Sequence, residues 1–271
     1  MSAPTFSEAD LCAAFIASAT EKPKRVESAR WVAYPETGGF DIVLVRETDG
    51  VQIGIEAKLV LNARVLVQAL PERGSGTWTS GILGPDYRAV LVPATKCNSD
   101  IAAICEALGI TVIAYRGERG GAYYGANSYG PAFTPGLPSE GGWSGENSHW
   151  HEWAPLNRLK LPDYIPDVIA GASAPVALTA WKVKAIRLSV LLDERPVTRA
   201  DFKHLELSPT SWLSPGGWLD RTPAGWIRGP RTPDFEVQHP RNYGEIAADK
   251  ARWAPKAGGP LFADPAPGAT A

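Results

Sequence analysis

The chain has 271 residues, 44% of them hydrophobic, with 27 basic and 29 acidic side chains for a net charge of −2. That length holds one large core or two small ones, and the even charge balance excludes a global pull toward nucleic acid or membrane, leaving only local patches for that purpose. Cys12, Cys97 and Cys105 form no CxxC pair, no basic-then-apolar leader opens the chain, and no apolar run approaches the roughly 18 residues of a membrane span; the expectation is a soluble, cytoplasmic protein with reduced thiols.

Residues 7–19 predict a helix, with Ser7 as cap and Leu11, Ala14, Phe15 and Ala19 on one face. Strands follow at 30–34, 40–47 and 51–61, the last two joined through Thr48-Asp49-Gly50, a hairpin signal. Asn62 caps a short helix that Pro71 stops. A strand at 88–94, a helix at 99–109 with Ser99 as cap and Gly109 as terminator, and a strand at 111–115 complete the pattern. Helix, three strands, helix, strand, helix, strand is an α/β domain with a mixed sheet, assigned to residues 1–117. Residues 118–177 are rich in Gly, Pro and aromatics without a period and form a linker or a long ordered loop. His149, His151 and Glu152 lie there and lack the further ligands a zinc site needs. A strong helix over 178–194, a short extended piece, two short helices (the second with Ser208 as cap and Pro209 as first residue) and a hairpin turning at Pro223-Ala224-Gly225 make a second domain, 178–231. The remainder, 232–271, is expected to be an extended tail, disordered toward its end.

The stretch VQIGIEAKLVLN (51–62) carries Glu56 and Lys58 inside an apolar run. Strand alternation puts both on one face. With Asp49-Gly50 as a two-residue turn, Asp41 stands opposite Lys58 and diagonal to Glu56, at Cβ separations of about 5 and 7–8 Å. Two carboxylates can share a hard divalent cation, and an adjacent ammonium offsets charge developing on a phosphate. A salt bridge on an edge strand is the plainer alternative. It accounts poorly for three charges in a sheet, where burial costs several kcal/mol per ion unless they are paired or metal-bound.

Asp41, fourteen residues, then Glu56-Ala57-Lys58, within this element order, resembles the PD-(D/E)XK nuclease superfamily over residues 7–116. Phe40 stands where the family label has proline. The resemblance implies a restriction-endonuclease-like mixed sheet flanked by helices, Asp41 and Glu56 as ligands of Mg²⁺ or Mn²⁺, and Lys58 as the catalytic lysine. It offers Gln68 as a residue facing the site and Glu8 as an outer ligand; their plainer readings are a solvent-facing helix residue and a complement to the helix dipole. Glu36, in the Gly-flanked bend before Asp41, either turns toward the metal or solvates the bend.

Residues 178–231 resemble a winged helix-turn-helix fold. Nine basic residues against five acidic ones give this stretch a local positive excess. Lys203, Thr210, Ser211, Arg221 and Arg228 are its candidate DNA contacts. The expectation is a Mg²⁺-dependent DNA endonuclease gripping double-stranded DNA and, to cut both strands, working as a homodimer or by two nicks. The alternatives are a non-catalytic DNA-binding or regulatory protein on a nuclease-like scaffold, and an adaptor whose winged helix binds protein.

Overall fold

Ser7 opens the first helix, α1 (Glu8–Ala19), with a reciprocal cap: its hydroxyl accepts from the Asp10 N–H at 3.1 Å, and the Asp10 carboxylate accepts from the Ser7 N–H at 2.9 Å. The computed structural model describes residues 6–21, 29–70, 83–117, 132–140, 145–172 and 177–255. Contacts divide the chain into two units, residues 1–177 and 178–271.

In the first unit, β2 (Phe40–Arg46) pairs antiparallel with both β1 (Trp31–Thr37) and β3 (Gln52–Ala57). After α2 (Ala63–Ala69) and the short β4 (Leu83–Gly84), β5 (Tyr87–Pro93) pairs with β3 in parallel. Following α3 (Ser99–Ala107), β6 (Thr111–Tyr115) joins β5 in parallel, and β7 (Phe133–Thr134) closes the order β1-β2-β3-β5-β6-β7. The first unit is therefore α/β with a mixed six-stranded sheet. Leu11 and Phe15 of α1 pack with Ile42, Leu44, Ile55 and Leu91; Val65 and Leu66 of α2 pack with Val90, Val92 and Cys105. Coverage on two sides buries every residue of β3, the polar Gln52 and Glu56 as well as Ile53, Ile55 and Ala57 that alternate with them. Asn98, not Ser99, caps α3, accepting from the Asp100 and Ile101 N–H groups.

The stretch from 132 to 172 is a packed part of this unit where it is described. Trp150 is in the core, edge-on to Tyr87 of β5, Trp153 donates to the Gly109 carbonyl at 2.8 Å, and β8 (Asn157–Arg158) pairs with β4. Its aromatics supply buried area that a linker would leave in water.

The register of the β2–β3 hairpin differs from expectation. The pairs are Ile42↔Ile55, Val43↔Gly54, Leu44↔Ile53 and Val45↔Gln52, two residues away from a two-residue turn. Residues 47–50 form the loop instead: the Gly50 N–H donates to the Arg46 carbonyl and the Val51 carbonyl accepts from the Arg46 N–H, both at 2.9 Å. Asp49 is consumed by a bidentate pair with Arg46 and a bond from the Val51 N–H. That lengthens the turn and moves Asp41 from a place opposite Lys58 to one opposite Glu56.

The second unit contains α4 (Ala180–Glu194), α5 (Arg199–His204), α6 (Thr210–Leu213) and the hairpin β9 (Leu219–Thr222)–β10 (Gly225–Arg228). Val197, between α4 and α5, bridges Trp226 at the hairpin's edge. Trp212 is wholly buried and stacks edge-on with Trp218 and Phe202. Pro209 precedes α6 as its cap, one position later than predicted. The supposed extended tail instead folds into α7 (Phe235–Gln238), α8 (Pro240–Ala248) and α9 (Lys250–Trp253), whose Phe235, Tyr243, Ile246 and Trp253 are buried. The disorder expected of the last residues falls at 256–271, outside the described residues.

Candidate functional site

Three strands deliver three carboxylates to one place. The turn between β1 and β2 has Gly38 and Gly39 at φ +63° and +85° and pairs Thr37 with Phe40. Two positive φ angles make the tight turn that suits twisted strands. Just before it Glu36 sits at φ +48°, a left-handed conformation that costs a non-glycine residue about 1 kcal/mol or more. Its carboxylate accepts from the Gly171 N–H at 2.8 Å.

On the next strand the β2–β3 ladder ends at Ile42↔Ile55, and the Ala57 N–H donates to Asp41 Oδ2 at 2.7 Å. Oδ1 has no donor among the described residues. The Phe40 ring lies over Gly54 of β3, and only a glycine permits this: a Cβ on Gly54 would stand 2.7 Å from the ring. Arg88 then stacks between Phe40 (5.3 Å) and Trp153 (5.1 Å) and donates to the Ala69 carbonyl at 2.8 Å. This stack braces the residue preceding Asp41.

Glu56 is 5% exposed and meets no hydrogen-bond donor among the described residues. Burial, then the charge of Asp41, pushes its carboxyl up to about 8, against a smaller opposing effect of Lys58. Burial also raises Asp41, opposed by the Ala57 N–H and Lys58, and raises Glu36, opposed by the Gly171 N–H. Lys58 continues the parallel ladder through its N–H to the Leu91 carbonyl at 2.9 Å, and its Nζ donates to Glu8 Oε2 at 2.7 Å. Burial works against the Lys58 charge, but Glu8, Asp41 and Glu56 outweigh it and the ammonium is held above its usual range. Cys12, one helical turn from Glu8 and wholly buried, is driven far up by burial and then by Asp41, Glu36 and Glu8, so it is a neutral thiol.

The structure thus assembles Glu8, Glu36, Asp41, Glu56 and Lys58 into one electrostatic cluster. Gln68 is exposed on α2 and forms no hydrogen bond with Asp41, Glu56 or Lys58. The oxygen-only donor set suits a hard cation such as Mg²⁺ or Mn²⁺, and the buried, donorless Glu56 is the group such an ion would satisfy. Among the described residues, no three His, Cys, Asp or Glu side chains stand together as a group that could hold a metal ion; Asp41 accepts from the Ala57 N–H and Glu8 from Lys58 instead. Gly171, Gly54 and the Arg88 stack escaped sequence reasoning. The Gly-Gly pair before Phe40 was the available signal for a tight turn, whereas nothing local marks Gly171 as a neighbour of Glu36.

In the second unit Lys203, Thr210, Ser211 and Arg221 are exposed, and neither Lys203 nor Arg221 forms an ion pair with a described residue. Arg228 differs: one guanidinium nitrogen donates to Asp193 (2.7 Å), the Ser189 carbonyl (3.1 Å) and the Tyr243 hydroxyl (3.2 Å). It ties the hairpin to α4 and α8.

No family model matches the chain, and neither a curated protein nor a solved structure does. Among the described residues no helix is long and apolar enough to cross a membrane.

Proposed function

We propose that the first unit is a divalent-cation-dependent phosphodiesterase of the PD-(D/E)XK kind that acts on DNA, and that the second is a winged-helix module that holds the duplex. The observation that carries this reading is Glu56, a buried carboxylate without a described donor, set beside Asp41, Glu36 and Lys58 where the β2–β3 ladder ends. The order of one helix, three antiparallel strands, a helix and a parallel strand supports the family resemblance.

Asp41 and Glu56 would hold Mg²⁺ or Mn²⁺, with Glu36 beside them; bound there, the cation would supply Lewis-acid stabilisation of a phosphate and a more acidic water. Lys58 is the cation of this chain that offsets negative charge gathering on the phosphate. Glu8 stores Lys58 in the resting protein and orients its Nζ. The bond from the Ala57 N–H holds Asp41 in one orientation. Lys203, Thr210, Ser211 and Arg221 would meet backbone phosphates or base edges. Cleavage of both strands calls for two copies or two successive nicks.

The test is nicking of supercoiled plasmid with Mg²⁺, with Mn²⁺ and with EDTA, for the wild type and Lys58→Ala. Cation-dependent nicking that the variant loses by at least a hundredfold supports the reading; equal nicking by both proteins sinks it. A second reading, a DNA-binding protein without catalysis, is favoured by the 2.7 Å ion pair that occupies Lys58. Its signature is a gel shift with no cleavage under either metal.

A further inference from the structure

The carboxylate cluster depends on a backbone group far from the motif. The Gly171 N–H lies 2.8 Å from Glu36 Oε1, across 135 residues of sequence. Glu36 Oε2 has no described donor, and Glu36 feels the charges of Asp41 and Lys58. The same glycine presses on α1. A Cβ there would stand 2.9 Å from Cys12 Sγ and 3.2 Å from the Glu8 carbonyl carbon and oxygen. Its φ of +69° is a conformation that favours glycine. Ala170, 4% exposed, anchors the segment in the core. One residue therefore touches both sides of the cluster: the carboxylate on β1, and the helix turn whose Glu8 holds Lys58.

We propose that Gly171 is a positioning residue for the cation-binding carboxylates: its N–H holds Glu36 turned inward beside Asp41, with one oxygen committed and the other left without a protein donor. This rests on the reading of the site given above. Glu36 pays for that orientation with a left-handed backbone, and Gly171 supplies the fixed donor that makes it persist. A partner held behind a ligand in this way typically changes metal affinity by about 10–100-fold when it is displaced.

The experiment is a double-variant cycle read by calorimetric titration of Mn²⁺ into the full chain. Gly171→Ala keeps the N–H, but its Cβ forces the segment away from Cys12 and Glu8 and so moves the N–H off Glu36. Its expected effect is a loss of Mn²⁺ affinity of about 10–100-fold, with no further loss when it is added to Glu36→Ala. An equal loss in both backgrounds marks a merely structural role and overturns the inference. So does Mn²⁺ affinity unchanged in Gly171→Ala or in Glu36→Ala. A second measurement does not depend on the folding of the glycine variant. In ¹⁵N-glycine-labelled wild type, substoichiometric Mn²⁺ should broaden the Gly171 amide resonance, and at equal Mn²⁺ the broadening should weaken in Glu36→Ala as the affinity falls. A Gly171 resonance that stays sharp while the wild type binds Mn²⁺ elsewhere refutes this inference alone. A wild type that takes up no Mn²⁺, with or without DNA, overturns the reading of the whole site.

Discussion

Replacing Glu56 with glutamine should stabilise the protein, and the gain should grow with pH. The side chain is 5% exposed, and its carboxyl is pushed from 4.5 to about 8, by burial first and then by Asp41. A folded-state value above the unfolded one means that this group's contribution to stability is complete below pH 4.5 and is lost as pH rises toward about 8. At pH 7 the unfolded chain has released the proton and the folded chain still holds it. At about 1.4 kcal/mol per pH unit, the interval from 4.5 to 7 amounts to roughly 3 kcal/mol. Glutamine is an isostere of the protonated acid and escapes this loss. Urea unfolding in EDTA should therefore show the Glu56→Gln variant equal to wild type near pH 4.5 and roughly 3 kcal/mol more stable at pH 7. Mn²⁺ should then raise the stability of the wild type and leave the variant nearly unchanged, because the cation takes the proton's place. A stability difference that is flat across pH, or a variant less stable than wild type at pH 7, would refute the argument that burial keeps Glu56 protonated.

Gly54→Ala should destabilise the first unit by about 1–3 kcal/mol in urea unfolding, because the added Cβ meets the Phe40 ring at 2.7 Å; an unperturbed midpoint would mean that Phe40 does not lie on the strand. Asp201→Asn should cost about 1–3 kcal/mol, since Asp201 accepts two bonds from Arg195 and caps α5 through the Thr198 N–H. Burial opposes the charge on Asp201, but the bonds from Arg195 and Thr198 outweigh it and hold the acid below its usual range. Its stabilisation is thus present above the ordinary value of 3.8 and fades as pH falls through the lowered one, so thermal melts of wild type and variant should converge in strong acid. For DNA binding, Arg221→Ala should flatten the salt dependence of a gel shift by about one in slope. Arg228→Ala should leave that slope alone and lower the melting temperature, because it removes the donor that Asp193, the Ser189 carbonyl and Tyr243 share. The reverse pattern would place Arg228, not Arg221, at the phosphates.

Much of the fold was legible along the chain because its signals are local. Ser7 and Asn62 cap where their side-chain oxygens can reach the next free N–H groups. The apolar run of β5 announces a strand buried on both faces. Asp41, Glu56 and Lys58 stood out because charge in such a run has a cost that demands a cause. The register escaped because Asp49 could serve equally as a turn residue or as the partner of Arg46, and only the packed hairpin chooses between them. The helices after 232 escaped for a similar reason: they are short, interrupted by Pro240 and Asp249, and bury Phe235 and Trp253 against α4, α5 and α6. Gly171 lay further out of reach. A side chain there would collide with Cys12 and Glu8, and its N–H is held by a carboxylate 135 residues away.

Sequence by itself determined which residues carry charge into the sheet and the order of the main helices and strands of the first unit, because capping, periodicity and burial act over a few residues. Tertiary structure alone decided which charges meet, which are spent on one another, and which backbone amide holds Glu36. Those outcomes depend on packing between segments far apart in the chain, and no short-range preference encodes them.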